Sequence, residues 1–139
     1  MVRRVWRRRA FVAAGLAAVL AAPGALANSV LDYSGFSNAS VSLGDRTFRI
    51  YVHKSRNTFL LQPAWKDMGR QPTAWPDADW QTAAAALVRP VGCAVPQTVP
   101  LARWGATWEA TYLCPLGIDL PALVKQQAAA LRGGAALHP

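Results

Sequence analysis

Catalytic side chains are scarce in this chain: two histidines, two cysteines and one glutamate, Glu109, in 139 residues. That scarcity excludes much. A carboxylate pair for glycoside hydrolysis could be assembled only from aspartates in loops and helix caps. A serine triad needs a histidine held by a carboxylate. His53 is the single usable candidate, since His138 lies one residue from the end, and no serine sits in a G-x-S-x-G elbow. There is no C-x-x-C, no H-E-x-x-H and no phosphate-cradling glycine loop, so no metal and no cofactor is expected. Long apolar runs are missing as well. The longest, Ala10 to Ala22, holds 13 residues, short of the ~20 that a membrane-spanning helix requires.

What is present is first an address. Arg3, Arg4, Arg7, Arg8 and Arg9 precede the apolar run, Pro23 breaks it, and Ala25-Leu26-Ala27 places small residues at −3 and −1 of a cleavage point. This order of charged, apolar and small-residue regions is that of a bacterial secretory signal peptide. Cleavage after Ala27 is expected, leaving residues 28–139 as one small globular domain, periplasmic or secreted, with no membrane span. Arg8-Arg9-Ala10-Phe11-Val12 resembles the twin-arginine export motif, with Arg7 where that motif has Ser or Thr. The general secretory route is the other expectation. All seven acidic residues lie after Ala27 together with ten of the fifteen basic ones, a net +3 against +8 for the whole chain. The remaining cations are scattered singly rather than gathered in a stripe, which argues against nucleic-acid binding. Cys93 and Cys114, an even count in an oxidising compartment, are expected to form one structural disulfide.

The domain is expected to be α+β, an antiparallel sheet built from two hairpins in ββαββα order, with two helices on one face. Residues 28–40, rich in Ser, Asn and Gly, read as an irregular lead-in, and Val41 to Leu43 as a short strand turning at Gly44-Asp45. Thr47 to His53 alternates, with Phe48, Ile50 and Val52 on one face and Arg49, Tyr51 and His53 on the other. Thr58 to Gln62 returns as its partner. Asp77 or Asp79 caps a helix to about Val88, with Trp80, Ala84 and Leu87 inward. Folding the chain about Ala102–Gly105 pairs residues whose numbers sum to 207. Cys93 then faces Cys114, Val95 faces Tyr112, Val99 faces Trp108 and Leu101 faces Ala106. Pro96 and Pro100 place the 93–101 segment at a sheet edge, and Cys93 and Cys114 become a hydrogen-bonded pair with Cα atoms ~5.5 Å apart. Asp119 caps a last helix, with Pro121 in its first turn and Gly133-Gly134 as its stop.

Function must then be sought in the aromatics. Trp80 and Trp108 fall on core faces, whereas Trp65, Trp75 and Trp104 lie in loops. A loop tryptophan either folds back onto the core or is offered to a partner. The candidate binding residues are Trp65 and Trp75, in the long proline-braced 63–76 loop, and Arg49, Tyr51 and His53 on the sheet face opposite the helices. The reading these favour is an exported, non-enzymatic binding or accessory domain whose partner is a protein or a cell-wall glycan. The alternatives are a secreted inhibitor-like or host-facing protein and a small hydrolase or transferase using His53, for which the bland account is a solvated histidine at a strand end.

Overall fold

The computed structural model describes Tyr33 and residues 39–139; the leader expected at 1–27 lies outside the described residues. The described chain forms five strands and two helices. They are β1 (Ala39–Leu43), β2 (Arg46–Val52), β3 (Thr58–Pro63), α1 (Asp77–Val88), β4 (Ala94–Pro100), β5 (Trp108–Leu113) and α2 (Leu120–Arg132). The sheet is antiparallel throughout, in the order β1-β2-β3-β5-β4. The α+β class is as expected, but the first unit is a three-stranded meander rather than a hairpin. Leu43 pairs Arg46 across a two-residue turn, and Gly44 takes φ 58° there. A turn that matches strand twist demands positive φ at that position, and glycine supplies it without steric cost. The short 41–43 segment is therefore lengthened into a paired edge strand that begins at Ala39.

Alternation along β2 buries Phe48, Ile50 and Val52 against α1 and α2, joined by Phe59 and Leu61 of β3 and by Trp108, Ala110 and Tyr112 of β5. From the helices come Trp80, Ala84, Leu87, Leu120, Val124 and Leu131. Trp80 is the centre: its ring stacks on Trp108 at 5.8 Å between centroids and meets Phe48 edge-on at 5.0 Å. Asp119 caps α2 by accepting from the Ala122 N–H at 3.1 Å. α1 starts differently from expectation. Pro76 holds its cap position and, having no side-chain acceptor, leaves it uncapped; Asp77 and Asp79 fall inside the first turn, where Asp79 pairs with Arg46.

The Cys93–Cys114 disulfide is present. Near it the 207 register holds, since Ala94 pairs Leu113, but farther along the pairs are Gln97–Thr111, Thr98–Ala110, Val99–Glu109 and Pro100–Trp108, one step out. The slip is a bulge between Ala94 and Gln97. Pro96 lies in it and has no N–H to give the ladder, so the pairing breaks there at least cost. Thr98 rather than Val99 is thereby brought to the side of Ala110, and Val99 turns to the side of Glu109. The connection between the strands is also wider than a four-residue turn. It runs from Leu101, whose N–H donates to the Thr107 carbonyl, through a 3-10 turn at Ala102–Trp104. The cysteines themselves lie outside the ladder. The Cys93 N–H donates to the Val88 carbonyl at the end of α1, and the two Cα atoms approach to 4.2 Å rather than ~5.5 Å.

Candidate functional site

Both helices occupy one side of the sheet. The other side carries two adjoining clusters, one open and one closed.

The open cluster grows from Arg49, which stands directly across from Gln62 in the β2–β3 ladder. Its guanidinium donates from Nε to the Pro63 carbonyl at 2.7 Å, from Nη1 to the Tyr51 hydroxyl at 2.7 Å and from Nη2 to Gln62 Oε1 at 3.3 Å. Three of its five N–H groups are thus committed, and the plane of the group is fixed. The Trp65 ring lies on that plane, with the guanidinium carbon 3.9 Å from its centroid. Gln62 passes the network on by donating to Thr107 Oγ1 at 3.0 Å, and the Thr107 hydroxyl donates to the Trp104 carbonyl at 2.7 Å. The two tryptophan-bearing loops are therefore tied together through side chains of the sheet.

What holds Trp65 outside is a buried aspartate. Asp67 accepts from the Thr47 N–H at 2.9 Å and from Arg70 at 3.0 Å, and the Ala64 N–H donates to the Thr47 carbonyl at 2.8 Å. These bonds clip the 64–70 segment to the start of β2. Trp65, in the short 3-10 turn between them, remains 75 % exposed.

The closed cluster lies farther along the same face. His53 is expected at a solvated strand end, but it is 3 % exposed, because Tyr33 of the lead-in segment bridges to it and sets its ring edge-on at 4.8 Å. The Tyr33 hydroxyl donates to the Glu109 carboxylate and meets the Thr58 hydroxyl at 3.1 Å. Burial, and next the hydrogen bond to Glu109, raise the Tyr33 phenol well above its ordinary value. His53 Nδ1 accepts from the backbone N–H groups of Ser55 and Arg56 at 3.0 and 2.9 Å, so that nitrogen carries no proton. A triad base requires the opposite, an Nδ1–H donated to a carboxylate. His53 as placed here shapes the β2–β3 turn and lies buried beneath Tyr33.

Of the five nominated residues, Arg49, Tyr51 and Trp65 come together, His53 sits on the same face beneath Tyr33, and Trp75 is elsewhere. Trp75 is 6 % exposed on the helix side, against Phe48 and Trp80. A sequence signal for this exists. Trp75 precedes the cap position of α1 and Trp80 is the fourth residue of that helix, the spacing of a hydrophobic staple. Gln62, Thr107, Asp67 and the Tyr33–Glu109 pair were not marked by sequence. Polar residues at strand positions and in loops look solvated until their partners are known.

Among the described residues no group of three or more His, Cys, Asp or Glu side chains is placed to hold a metal ion. The open cluster has the chemistry of a contact surface: a planar, largely exposed indole, a fixed guanidinium with two N–H groups uncommitted among the described residues, and a phenol beside them. A comparison with known proteins gives no match, whether to a family model, to a curated protein or to a solved structure.

Proposed function

We propose that this chain is an exported binding domain that engages a protein partner through Trp65, Arg49 and Tyr51. The observation that carries this reading is Trp65 itself, a large ring held in water on a rigid mount. Trp, Arg and Tyr are the three residue types that dominate binding energy at protein interfaces. Their mutual stacking and hydrogen bonds remove most of the ordering entropy a partner would otherwise have to overcome. Export fits the leader-like first 27 residues and the disulfide, which persists in oxidising compartments. A His53-centred hydrolase has no comparable support, since its imidazole is committed to two backbone amides.

The test is crosslinking in the native cell envelope from a photoreactive residue placed at Met68, which is exposed beside Trp65. A discrete adduct is expected that disappears with Trp65→Ala, while that substitution lowers stability by no more than about 1 kcal/mol, the value of a lost exposed cation–π contact. An adduct indifferent to Trp65→Ala, or none, overturns the proposal. Trp65-dependent sedimentation with isolated cell-wall glycan, in place of a protein adduct, would reassign the partner to the glycan.

A further inference from the structure

The network around Arg49 is one-sided in its hydrogen bonding. Its acceptors are used from within: the Pro63 carbonyl, the Tyr51 oxygen and Gln62 Oε1 each receive a bond from the guanidinium, and Thr107 Oγ1 receives one from Gln62. Among the described residues, what is left over is donors. Arg49 keeps one N–H on Nη1 and one on Nη2, and the Tyr51 oxygen accepts from Arg49, which leaves its own O–H to donate. Charge follows the same pattern. Arg49 forms no ion pair among the described residues, and neither does Lys66, whose ammonium reaches only the Asp45 backbone carbonyl at 3.4 Å. The carboxylates of the adjoining segments are already engaged, Asp45 and Asp67 by Arg70 and Glu109 by the Tyr33 hydroxyl. The exposed Trp65 ring therefore stands beside a fixed cation that has donors to offer and no counter-charge.

We propose that the partner covering Trp65 presents an acidic side chain, an aspartate or a glutamate, to Arg49, with an apolar side chain next to it on the outer face of the indole. This inference rests on the protein-binding reading and adds the chemistry of the partner. The two carboxylate oxygens take the two remaining guanidinium N–H groups, and the Tyr51 O–H donates to one of them. The guanidinium occupies one face of the indole, 3.9 Å from its centroid, so the apolar neighbour takes the other. A neutral partner would strip water from an unpaired charge without replacing it, and a basic one would add repulsion. An acidic partner exchanges that water for charge-assisted bonds, and Lys66 extends the attraction beyond the contact. The three bonds that hold the guanidinium to the β2–β3 hairpin leave it little freedom to lose on binding.

NMR titration of the full chain in its folded form tests this with two capped dipeptides, N-acetyl-L-leucyl-L-aspartyl amide and its uncharged counterpart N-acetyl-L-leucyl-L-asparaginyl amide. Saturable shifts of the Arg49 Nε–H and Trp65 Nε1–H signals are expected with the aspartyl peptide, at a dissociation constant of about 1–10 mM. The asparaginyl peptide should bind about five-fold more weakly or worse. Raising NaCl from about 50 to about 300 mM should weaken the aspartyl peptide alone, and Arg49→Gln should make the two peptides equal. The peptide comparison and the salt dependence are read on the unaltered protein, so a merely structural role for Arg49 would not produce them. Equal binding of the two peptides, a preference that survives Arg49→Gln, shifts confined to other residues, or no saturable shift by about 20 mM each overturn the proposal. Any of these together with a Trp65-dependent protein adduct from position 68 overturns the acidic specificity and leaves the protein-binding reading standing. Loss of that adduct overturns the reading beneath it, and with it the assignment of the carboxylate to a protein.

Discussion

Reducing the Cys93–Cys114 bond perturbs this fold without removing an atom from its core, so the effect can be worked out cleanly. The two half-cystines are 21 residues apart in sequence. In the chain-entropy model, closing a loop of that length lowers the entropy of the unfolded chain by about 11 cal/mol/K, or about 3 kcal/mol at 25 °C. Cysteine-to-alanine variants would add a cavity term, because Cys93 is buried, whereas reduction leaves both sulfurs in place. The β4–β5 ladder lies between the two cysteines. Any tendency of that hairpin to persist in the unfolded chain makes the real figure smaller, so the expected loss is about 2–3 kcal/mol. For a domain of this size that is a fall in Tm of about 8–13 °C. Urea unfolding of oxidised and dithiothreitol-reduced protein, followed by tryptophan fluorescence, measures it. The stacked Trp80 and Trp108 rings make that signal report on the whole core. A gap under about 1 kcal/mol would refute the reasoning, because residues 93 and 114 would then be held close without the bond. Collapse of the reduced protein without a cooperative transition would refute it in the other direction, since about 3 kcal/mol is less than a typical domain's margin.

Other outcomes follow from single side chains. Tyr33→Phe removes the hydroxyl that serves Glu109 and Thr58 and should cost about 1–2 kcal/mol in urea unfolding, part of it from the carboxylate left unpaired. Phe48→Ala opens a space against Trp75 and Trp80 and should cost about 3–5 kcal/mol, with a red shift of tryptophan emission. The Tyr112 phenol titrates higher in the folded protein, about 12, than its ordinary 10.0. The folded state therefore holds the extra proton between those values, and stability that is complete below pH 10 should decline as pH rises toward 12. Tyr33 shifts in the same direction, so Tyr112→Phe should lessen the slope without abolishing it. Mass spectrometry of the protein from its native envelope should show Asn28 at the N-terminus; a retained Met1 or Val2 would defeat the export reading.

Much of this fold is written in local patterns. The period of two along β2, the Asp119 cap with Pro121 behind it, and the paired cysteines each answer to forces acting within a few residues or across one ladder. What local pattern could not show was long-range competition. Pro96 signalled an edge strand correctly, yet the same missing N–H introduced the bulge that moved Val99 by one step, and a period-two reading has no tolerance for one extra residue. His53 follows the alternation of β2 faithfully. Its burial is decided by Tyr33, twenty residues earlier, whose approach leaves no periodic trace. Trp65 and Trp75 share one proline-rich loop and similar neighbours, yet α1 pulls one inward as a staple and Asp67 holds the other out.

That last contrast bears most directly on function. A chain with helices on one face of its sheet has to cover, or make polar, the other face. Here Tyr33 closes over His53, Thr58 and Glu109 at one end, while Arg49, Tyr51 and Gln62 make the other end polar. Nothing in that solution requires an indole in water. Trp65 could have been a lysine at no cost to the core, and its ring does not extend the packed cluster that contains Trp75. An exposed Trp of about 200 Å², three-quarters accessible, would gain about 3–4 kcal/mol from full burial at 25 cal/mol per Å². Even half of that amounts to more than ten-fold in affinity. The folded chain leaves this gain unrealised although the loop is clipped down on both sides of the ring by Ala64 and Asp67. A mount rigid enough to keep a tryptophan out is rigid enough to have buried it, and that is the physical ground for our proposal that a partner covers the ring.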